Sequence, residues 1–100
     1  MAAYLIVNTE IADKAAYERY KAAVPDLIRK HGGEYLARGG ALEVLEGDWR
    51  PERIVLFRFP SMDAIRGFIS DPEYQPWKAL RHSAARADLV AVQGIESQPA

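Results

Sequence analysis

The sequence contains no cysteine, which excludes disulfide bonds, thiol nucleophiles and cysteine-ligated metal centres. It also lacks an apolar run near the roughly 20 residues that a membrane helix needs, and its N-terminus lacks the basic segment of a signal peptide. Neither charge sign dominates, because 13 basic and 14 acidic residues give a net charge of −1. This balance argues against nucleic-acid or anionic-membrane binding. We therefore expect a cytoplasmic protein with no nucleic-acid partner and no membrane partner.

Apolar residues, in contrast, are abundant, at 49% of the 100 residues. Disordered chains are poor in such residues, so the composition predicts a folded domain. We assign residues 1–95 to a single domain and expect residues 96–100 to form a flexible C-terminal tail. A domain of this size buries only roughly two-thirds of the surface of its unfolded chain, which raises the question of whether one core needs all of this apolar content.

Hydrophobic periodicity predicts four strands and two helical regions. Pro25 predicts a kink in the first helix, and the dipeptide Asp71-Pro72 predicts an interruption of the second helical region. The segment Ala41–Leu45 is a candidate extension of the second strand past a bulge at Gly39-Gly40. The strands are expected over Tyr4–Thr9, Glu34–Arg38, Arg53–Phe59 and Asp88–Gly94, with helices after the caps Asp13 and Ser61.

This β-α-β-β-α-β order contains two β-α-β halves, whose crossovers are right-handed in almost all proteins. The order predicts an α+β, ferredoxin-like fold. We expect a four-stranded antiparallel sheet in the order 4-1-3-2, with both helices on one face and the second helix broken in two.

The strands do not alternate between apolar and polar residues as a sheet with one wet face should. In the third strand, Ile54 and Leu56 point one way while Phe57 and Phe59 point the other. We expect the face without helices to be apolar and to carry Phe57, Phe59 and Val90. A bare apolar face of this kind usually marks an interface, so we expect a homodimer in which two sheets pack face to face as an α/β barrel.

One candidate site lies around the second strand end, where Arg38 precedes Gly39-Gly40 and Glu46 follows shortly after. Arg38 is suited to holding a carboxylate or enolate oxygen, and Glu46 is suited to moving a proton, so both are candidate catalytic residues. The alternative is structural: Glu46 pairs with Arg38 or Arg53 across the sheet.

A second candidate site is a helical face that carries Tyr74, Trp77 and Arg81. These residues are suited to lining a substrate pocket, with Arg81 receiving an anion. The alternative is that Trp77 belongs to the core while Tyr74 and Arg81 reach its rim. Arg58 lies within the most apolar strand, so we expect it to be buried and paired, as a substrate-binding residue or in an interface ion pair.

The sequence has no phosphate-binding glycine loop and no serine nucleophile elbow. His31 is interpreted as a structural residue at a helix end, and His82 as a weak candidate for a catalytic or haem-ligating role. No metal site is expected, and no tightly bound cofactor.

A set of short motifs, taken in order, is similar to the bacterial family called domain of unknown function 1330. The likeness extends from Tyr4 to Gly94, and the chain departs from it at Gly67-Phe68, where the family usually has an aromatic pair. The motifs are Arg38-Gly39-Gly40, Leu45-Glu46-Gly47, Pro51 with Arg53-Ile54-Val55, Phe59-Pro60-Ser61, and Ser70 with Pro72-Glu73-Tyr74-Gln75 and Arg81.

The resemblance implies a ferredoxin-like fold within the dimeric α/β-barrel superfamily, but no settled activity. That superfamily includes monooxygenases that act on small molecules, haem-degrading enzymes and isomerases, with pockets between sheet and helices. By this likeness Arg38, Glu46, Tyr74 and Arg81 are pocket candidates. We expect either a cofactor-independent enzyme of monooxygenase or isomerase type acting on a small acidic or phenolic metabolite, or a non-catalytic dimeric module that binds such a ligand.

Overall fold

The computed structural model describes residues 1–95, so the predicted tail at 96–100 lies outside the described residues. Seven elements follow one another along the chain. Among residues 1–95, none of the helices is long and apolar enough to span a membrane. The elements are β1 (Ala3–Ile11), α1 (Lys14–Lys30), β2 (Glu34–Arg38), β3 (Ile54–Phe59), α2 (Met62–Ser70), α3 (Gln75–Ala84) and β4 (Ala85–Gln93).

The four strands form one antiparallel sheet in the order β2-β3-β1-β4. This is the predicted order, read from the opposite edge, and it confirms the ferredoxin-like arrangement. The register shifts between Tyr35 and Ala37, so the bulge lies inside β2 rather than at Gly39-Gly40. Residues 39–53 form a long connection without a strand, and Ala41–Leu45 therefore do not extend β2.

Helix α1 is continuous although Pro25 lies inside it. Its N-cap is Asp13, whose side chain accepts a hydrogen bond from the Ala16 amide at 3.1 Å. Proline has no amide hydrogen, so the carbonyl of Lys21, four residues earlier, receives no helical hydrogen bond. The guanidinium of Arg38 donates to that carbonyl at 2.8 Å, and the proline thereby creates an attachment point for a side chain from β2.

The second helical region is divided into α2 and α3, as predicted. Ser61 caps α2 by accepting from the Ala64 amide at 3.1 Å. The helix does not restart at Pro72, because residues 72–74 form a turn and α3 begins at Gln75. Asp71 nevertheless acts as a local cap, since its side chain accepts from the Glu73 amide at 2.9 Å.

The two faces of the sheet differ from the prediction in one respect. Phe57 and Phe59 point towards the helices and are buried, with 7% and 1% of their surfaces exposed. The face without helices, here called the outer face, carries Val90 as expected, and its other large apolar residues come from the alternate positions of each strand. These residues are Tyr4, Ile6, Leu36, Ile54, Leu56, Val90 and Val92.

Arg58 also lies on the outer face and is exposed within the single chain rather than buried, while the interface ion pair stays a prediction. Its side chain is 54% exposed and pairs with Glu34 of β2 at 3.4 Å. β2 is the edge strand beside β3, so the guanidinium reaches past its apolar neighbours to water.

A cluster of charged residues joins the end of α1 to the α2–α3 turn. Asp71 is buried, and one of its oxygens lies 2.8 Å from Lys30 Nζ and 2.7 Å from His31 Nε2. Glu73 adds a weaker contact to Lys30 at 3.6 Å. The hydrogen bonds from Lys30, from His31 and from the Glu73 amide hold the pKa of Asp71 well below its ordinary value.

This cluster makes the stability of the fold sensitive to acid. A carboxyl whose pKa is lowered by folding stabilises the folded state above its unfolded pKa, about 4 for Asp, and loses that contribution as pH falls through the folded pKa. We expect the free energy of unfolding, measured with urea between pH 2 and 6, to fall towards low pH. Asp71→Asn should flatten this dependence, while Asp26→Asn, at an exposed pair with Arg29, should preserve it. An unchanged slope in Asp71→Asn would contradict the assignment.

Candidate functional site

A cavity lies between the inner face of the sheet and the helices. Its free volume is about 30 Å³, which is enough for a group the size of a carboxylate but not for an aromatic ring. It is bordered by the side chains of Leu5, Val7, Tyr17, Tyr20, Lys21, Val24, Ile28, Tyr35, Arg38, Arg53, Val55, Phe57, Phe68, Tyr74, Arg81 and Leu89.

Seven aromatic side chains, here called the aromatic arc, run in an unbroken series around this region. Neighbouring ring centroids are 4.3 to 6.3 Å apart, the range in which aromatic pairs attract. The arc connects α1, the α2–α3 turn, α2, β3 and β2. In spatial order its members are Tyr17, Tyr20, Tyr74, Phe68, Phe59, Phe57 and Tyr35.

An arginine lies over each end of the aromatic arc. The guanidinium of Arg53 is 5.4 Å from the Tyr17 ring centroid and donates to the Tyr17 hydroxyl at 3.1 Å. The guanidinium of Arg38 is 4.5 Å from the Tyr35 ring centroid. Both distances permit cation–π attraction, so each guanidinium is held by a ring rather than by a carboxylate.

Gly39 follows Arg38 and lies against Arg53, and its backbone conformation favours glycine. Gly39 has a φ of +69°, and a Cβ at this position would lie 2.7 Å from Arg53 Nε. Its amide donates to the carbonyl of Ile54 at 2.9 Å. A glycine is therefore required for Arg38 and Arg53 to approach each other at the start and end of the 39–53 connection.

In the interior of the aromatic arc, the hydroxyls of Tyr20 and Tyr74 are 2.7 Å apart and share a hydrogen bond. Burial raises the pKa of Tyr20, and Tyr74 raises it further, whereas the nearby charge of Arg81 acts in the opposite direction. The pKa of Tyr35 is also raised by burial. Tyr20 and Tyr35 therefore remain neutral at physiological pH, and their hydroxyls act as hydrogen-bond donors or acceptors.

Arg81 is a buried arginine that has no ionic partner among the described residues. It is only 5% exposed and borders the cavity. No carboxylate of the described residues forms an ion pair with it, and its buried Nε has no hydrogen-bond partner there. An unpaired buried charge is costly, so a guanidinium in this environment favours an anionic partner.

A wider cleft adjoins the cavity at the surface, with a volume of about 330 Å³. Lys21, Arg38 and Arg53 border both the cleft and the cavity, so these three cations mark the mouth. The only carboxylate that borders the cleft within the described residues is that of Glu18, which pairs with Lys21 at 3.3 Å.

The structure brings together three of the six residues that the sequence singled out. Arg38, Tyr74 and Arg81 border the cavity. Trp77 packs against the main core and does not border the cavity.

Glu46 and Arg58 do not reach the cavity. Glu46 is exposed in the 39–53 connection, and within residues 1–95 it pairs with neither Arg38 nor Arg53. Arg58 lies on the outer face of the sheet. The catalytic role of Glu46 and the binding role of Arg58 remain sequence-based predictions without support from this placement.

Sequence reasoning missed the tyrosines of α1 and β2. Tyr17 and Tyr20 share a helical face with core residues, and Tyr35 lies in a short strand, so all three resemble ordinary core positions. The available signal was the proportion of tyrosine, which makes up five of the ten aromatic residues of the chain. Among residues 1–95, no group of three His, Asp or Glu side chains is placed to hold a metal ion.

Comparison with solved structures shows the same fold in proteins of low sequence identity. A protein of unknown function from Rhodopseudomonas palustris matches with a TM-score of 0.78 and 17% identity, over 96% of this chain and 84% of that chain. SnoaB, a cofactor-independent oxygenase from Streptomyces nogalater, matches with 0.65 and 11%, over 99% and 98%. A dimeric ferredoxin-like protein of unknown function from Jannaschia matches with 0.65 and 14%, over 94% and 100%.

Among curated proteins no match was found. Among protein families, the model described as a domain of unknown function (DUF1330) matches residues 2–95.

The Tyr20–Tyr74 hydrogen bond supplies a test of the interior. Tyr74→Phe leaves the Tyr20 hydroxyl without this partner, and we expect a loss of about 1–3 kcal/mol in the free energy of unfolding. Tyr20→Phe should behave alike, and the double variant should lose less than the sum of the two. Tyr4→Phe on the outer face should change stability by less than about 0.5 kcal/mol. Additive losses in a denaturant-based double-mutant cycle would show that the two hydroxyls are not coupled.

Proposed function

This chain belongs to the DUF1330 family, and from that premise we propose that it binds a small acidic or phenolic metabolite as an anion. The binding site is the cavity between the sheet and the helices of each subunit together with the wider cleft that adjoins it. We further propose that the protein is a homodimer and acts on this ligand as a cofactor-independent enzyme of monooxygenase or isomerase type.

The observation that carries the proposal is the buried guanidinium of Arg81, which borders the cavity without a carboxylate partner among the described residues. A bound carboxylate or phenolate supplies the missing charge. In so small a space the pairing is strong, because little water competes with it. The hydrogen-bonded Tyr20–Tyr74 pair borders the same cavity as Arg81 and offers hydroxyl groups to the same ligand.

The same arrangement supports chemistry on an anion. A guanidinium favours the ionised form of a phenol or enol and stabilises negative charge that develops on its oxygen. Formation of such an anion is a step that oxygenation without a cofactor and isomerisation next to a carbonyl have in common. Arg38 and Arg53 at the mouth add positive potential along the route of entry.

A second candidate function is ligand binding without turnover. It is favoured by the composition of the cavity wall, since no carboxylate and no imidazole of the described residues borders the cavity. A general base normally has to be within hydrogen-bond reach of the proton that it removes. Under this alternative the protein stores or senses the anion and does not convert it.

The homodimer is supported by the outer face of the sheet. Val90 and Val92 are 58% and 47% exposed, and Leu36 is 49% exposed. A second copy of the chain covers such a face by packing sheet against sheet, at the spacing usual for stacked sheets. The ion pairs Arg58–Glu34 and Arg86–Glu10 lie on this face as well.

Substitution of Arg81 separates binding from stability. Arg81→Met removes an uncompensated buried charge and keeps an apolar chain of similar length. We expect the ligand-free variant to be at least as stable as the wild type and up to about 4 kcal/mol more stable. In calorimetric titrations with a panel of aromatic carboxylates and phenols, the variant should lose all binding seen in the wild type. Arg66→Met, at an exposed position of α2, should bind like the wild type. Unchanged binding by Arg81→Met would overturn the proposed function.

Turnover distinguishes the two candidate functions. Any ligand that raises the melting temperature is incubated with the protein in air and without oxygen, and the mixture is analysed by mass spectrometry. An oxygen-dependent product indicates the oxygenase, and a product of unchanged mass but altered retention indicates the isomerase. A thermal shift with no product in either condition supports the non-catalytic module.

The dimer is tested by sedimentation at micromolar concentration. We expect the wild type to sediment at twice the chain mass of 11.2 kDa. Val90→Glu combined with Leu56→Lys should shift it towards a monomer, because charges on the buried faces are costly. Ala79→Glu, on an exposed position of α3, should remain dimeric. A wild type that sediments only as a monomer would contradict the proposal.

A further inference from the structure

We propose that the ligand of this site is a dianion, with one anionic group inside the cavity at Arg81 and a second at the mouth between Arg38 and Arg53. The inference rests on the proposed function and deepens it by naming the charge pattern of the ligand. The chemical class is a small dicarboxylate, or a related diacid, with a flat unsaturated body between its two charged ends.

The inner end of the site takes a small group only. The cavity has a free volume of about 30 Å³, which suits a carboxylate head but not a whole aromatic ring. Arg81 is the guanidinium that is buried there, and it does not border the cleft. The rest of a ligand anchored at Arg81 therefore extends outward through the mouth into the cleft of about 330 Å³.

The outer end carries a second, separate concentration of positive charge. Lys21, Arg38 and Arg53 border both spaces, while Glu18 alone provides an opposing carboxylate, already paired with Lys21 at 3.3 Å. Neither arginine forms an ion pair with a carboxylate of the described residues. A monoanion held at Arg81 leaves these two guanidinium groups without an ionic partner.

The two mouth arginines are prearranged for such a group. Arg38 is fixed by the Lys21 carbonyl that Pro25 leaves free and by the ring of Tyr35. Arg53 is fixed by the ring and hydroxyl of Tyr17. Guanidinium groups held in place in this manner lose little entropy on binding a carboxylate, and each presents a planar set of donors to it.

The cavity wall between Arg81 and the two mouth arginines favours a ligand with a flat body. Tyr17 and Tyr35 border the cavity beneath the two mouth arginines, and apolar side chains of α1 and β3 complete that wall. Conjugated or aromatic carbon stacks on such rings with little loss of internal freedom. A flexible diacid of equal length would have to give up several rotatable bonds to bind there.

The experiment compares each diacid with its own monoester, which keeps the body and removes one charge. The pairs are fumarate with monomethyl fumarate and terephthalate with monomethyl terephthalate, titrated calorimetrically at one fixed ionic strength because salt screens the mouth charges. We expect at least one diacid to bind about tenfold more tightly than its ester, the effect of one charge-assisted hydrogen bond.

Variants test the inner position at Arg81 and the outer position at Arg38 and Arg53 separately. Arg38→Gln and Arg53→Gln should weaken binding of the diacid about tenfold and binding of the ester less than threefold. Arg81→Met should abolish binding of both. Arg66→Gln, at an exposed position of α2, should change neither. The melting temperature of each unliganded variant is measured alongside, so that loss of folding is recognised and not taken for loss of a contact.

The outcomes separate this inference from the proposed function. If a diacid and its ester bind equally in every pair, or if the mouth variants weaken both alike, the dianion inference is wrong and the monoanion site at Arg81 stands. If no diacid and no ester binds while another acid of the wider panel does so through Arg81, the inference is also wrong. If nothing in that panel binds through Arg81, the proposed function itself fails.

Discussion

The packing of aromatic rings between the sheet and the helices is the interaction on which the rest of this structure depends. The aromatic arc from Tyr17 to Tyr35 joins α1, α2 and the α2–α3 turn to β2 and β3. Aromatic side chains bury more area than any others, so a few of them hold a small domain together. Because flat rings leave narrow gaps where they meet at an angle, the same layer also borders the cavity.

Two buried charged side chains, Asp71 and Arg81, differ in the partners that surround them. Asp71 receives hydrogen bonds from Lys30, His31 and a backbone amide, and this cluster fastens α1 to the α2–α3 turn. Arg81, equally buried, has no carboxylate partner among the described residues. This contrast between a buried charge with several partners and a buried charge without one is the observation on which the proposed binding site rests.

Much of the fold follows from local pattern. The order of strands and helices, the caps Asp13 and Ser61, and the sheet order were predictable, because periodicity and capping depend on neighbours in the sequence. The same pattern showed that Phe57 and Phe59 share one face and Leu56 the other. It assigned the wrong face to the helices, since both faces of β3 are apolar and alternation carries no information about which one is covered.

The candidate site was predictable only in part. Arg38, Tyr74 and Arg81 were recognised as site residues, and they border the cavity. Glu46 and Trp77 do not border it. Tyr17, Tyr20 and Tyr35 do, but their sequence pattern did not distinguish them from core residues. The sequence by itself determined the elements, their order and the apolar surplus on both sides of the sheet. Only the tertiary structure decided which charges meet a partner, because pairing depends on side chains that are distant in the chain: Lys30 reaches Asp71, and Arg38 reaches the carbonyl that Pro25 leaves free.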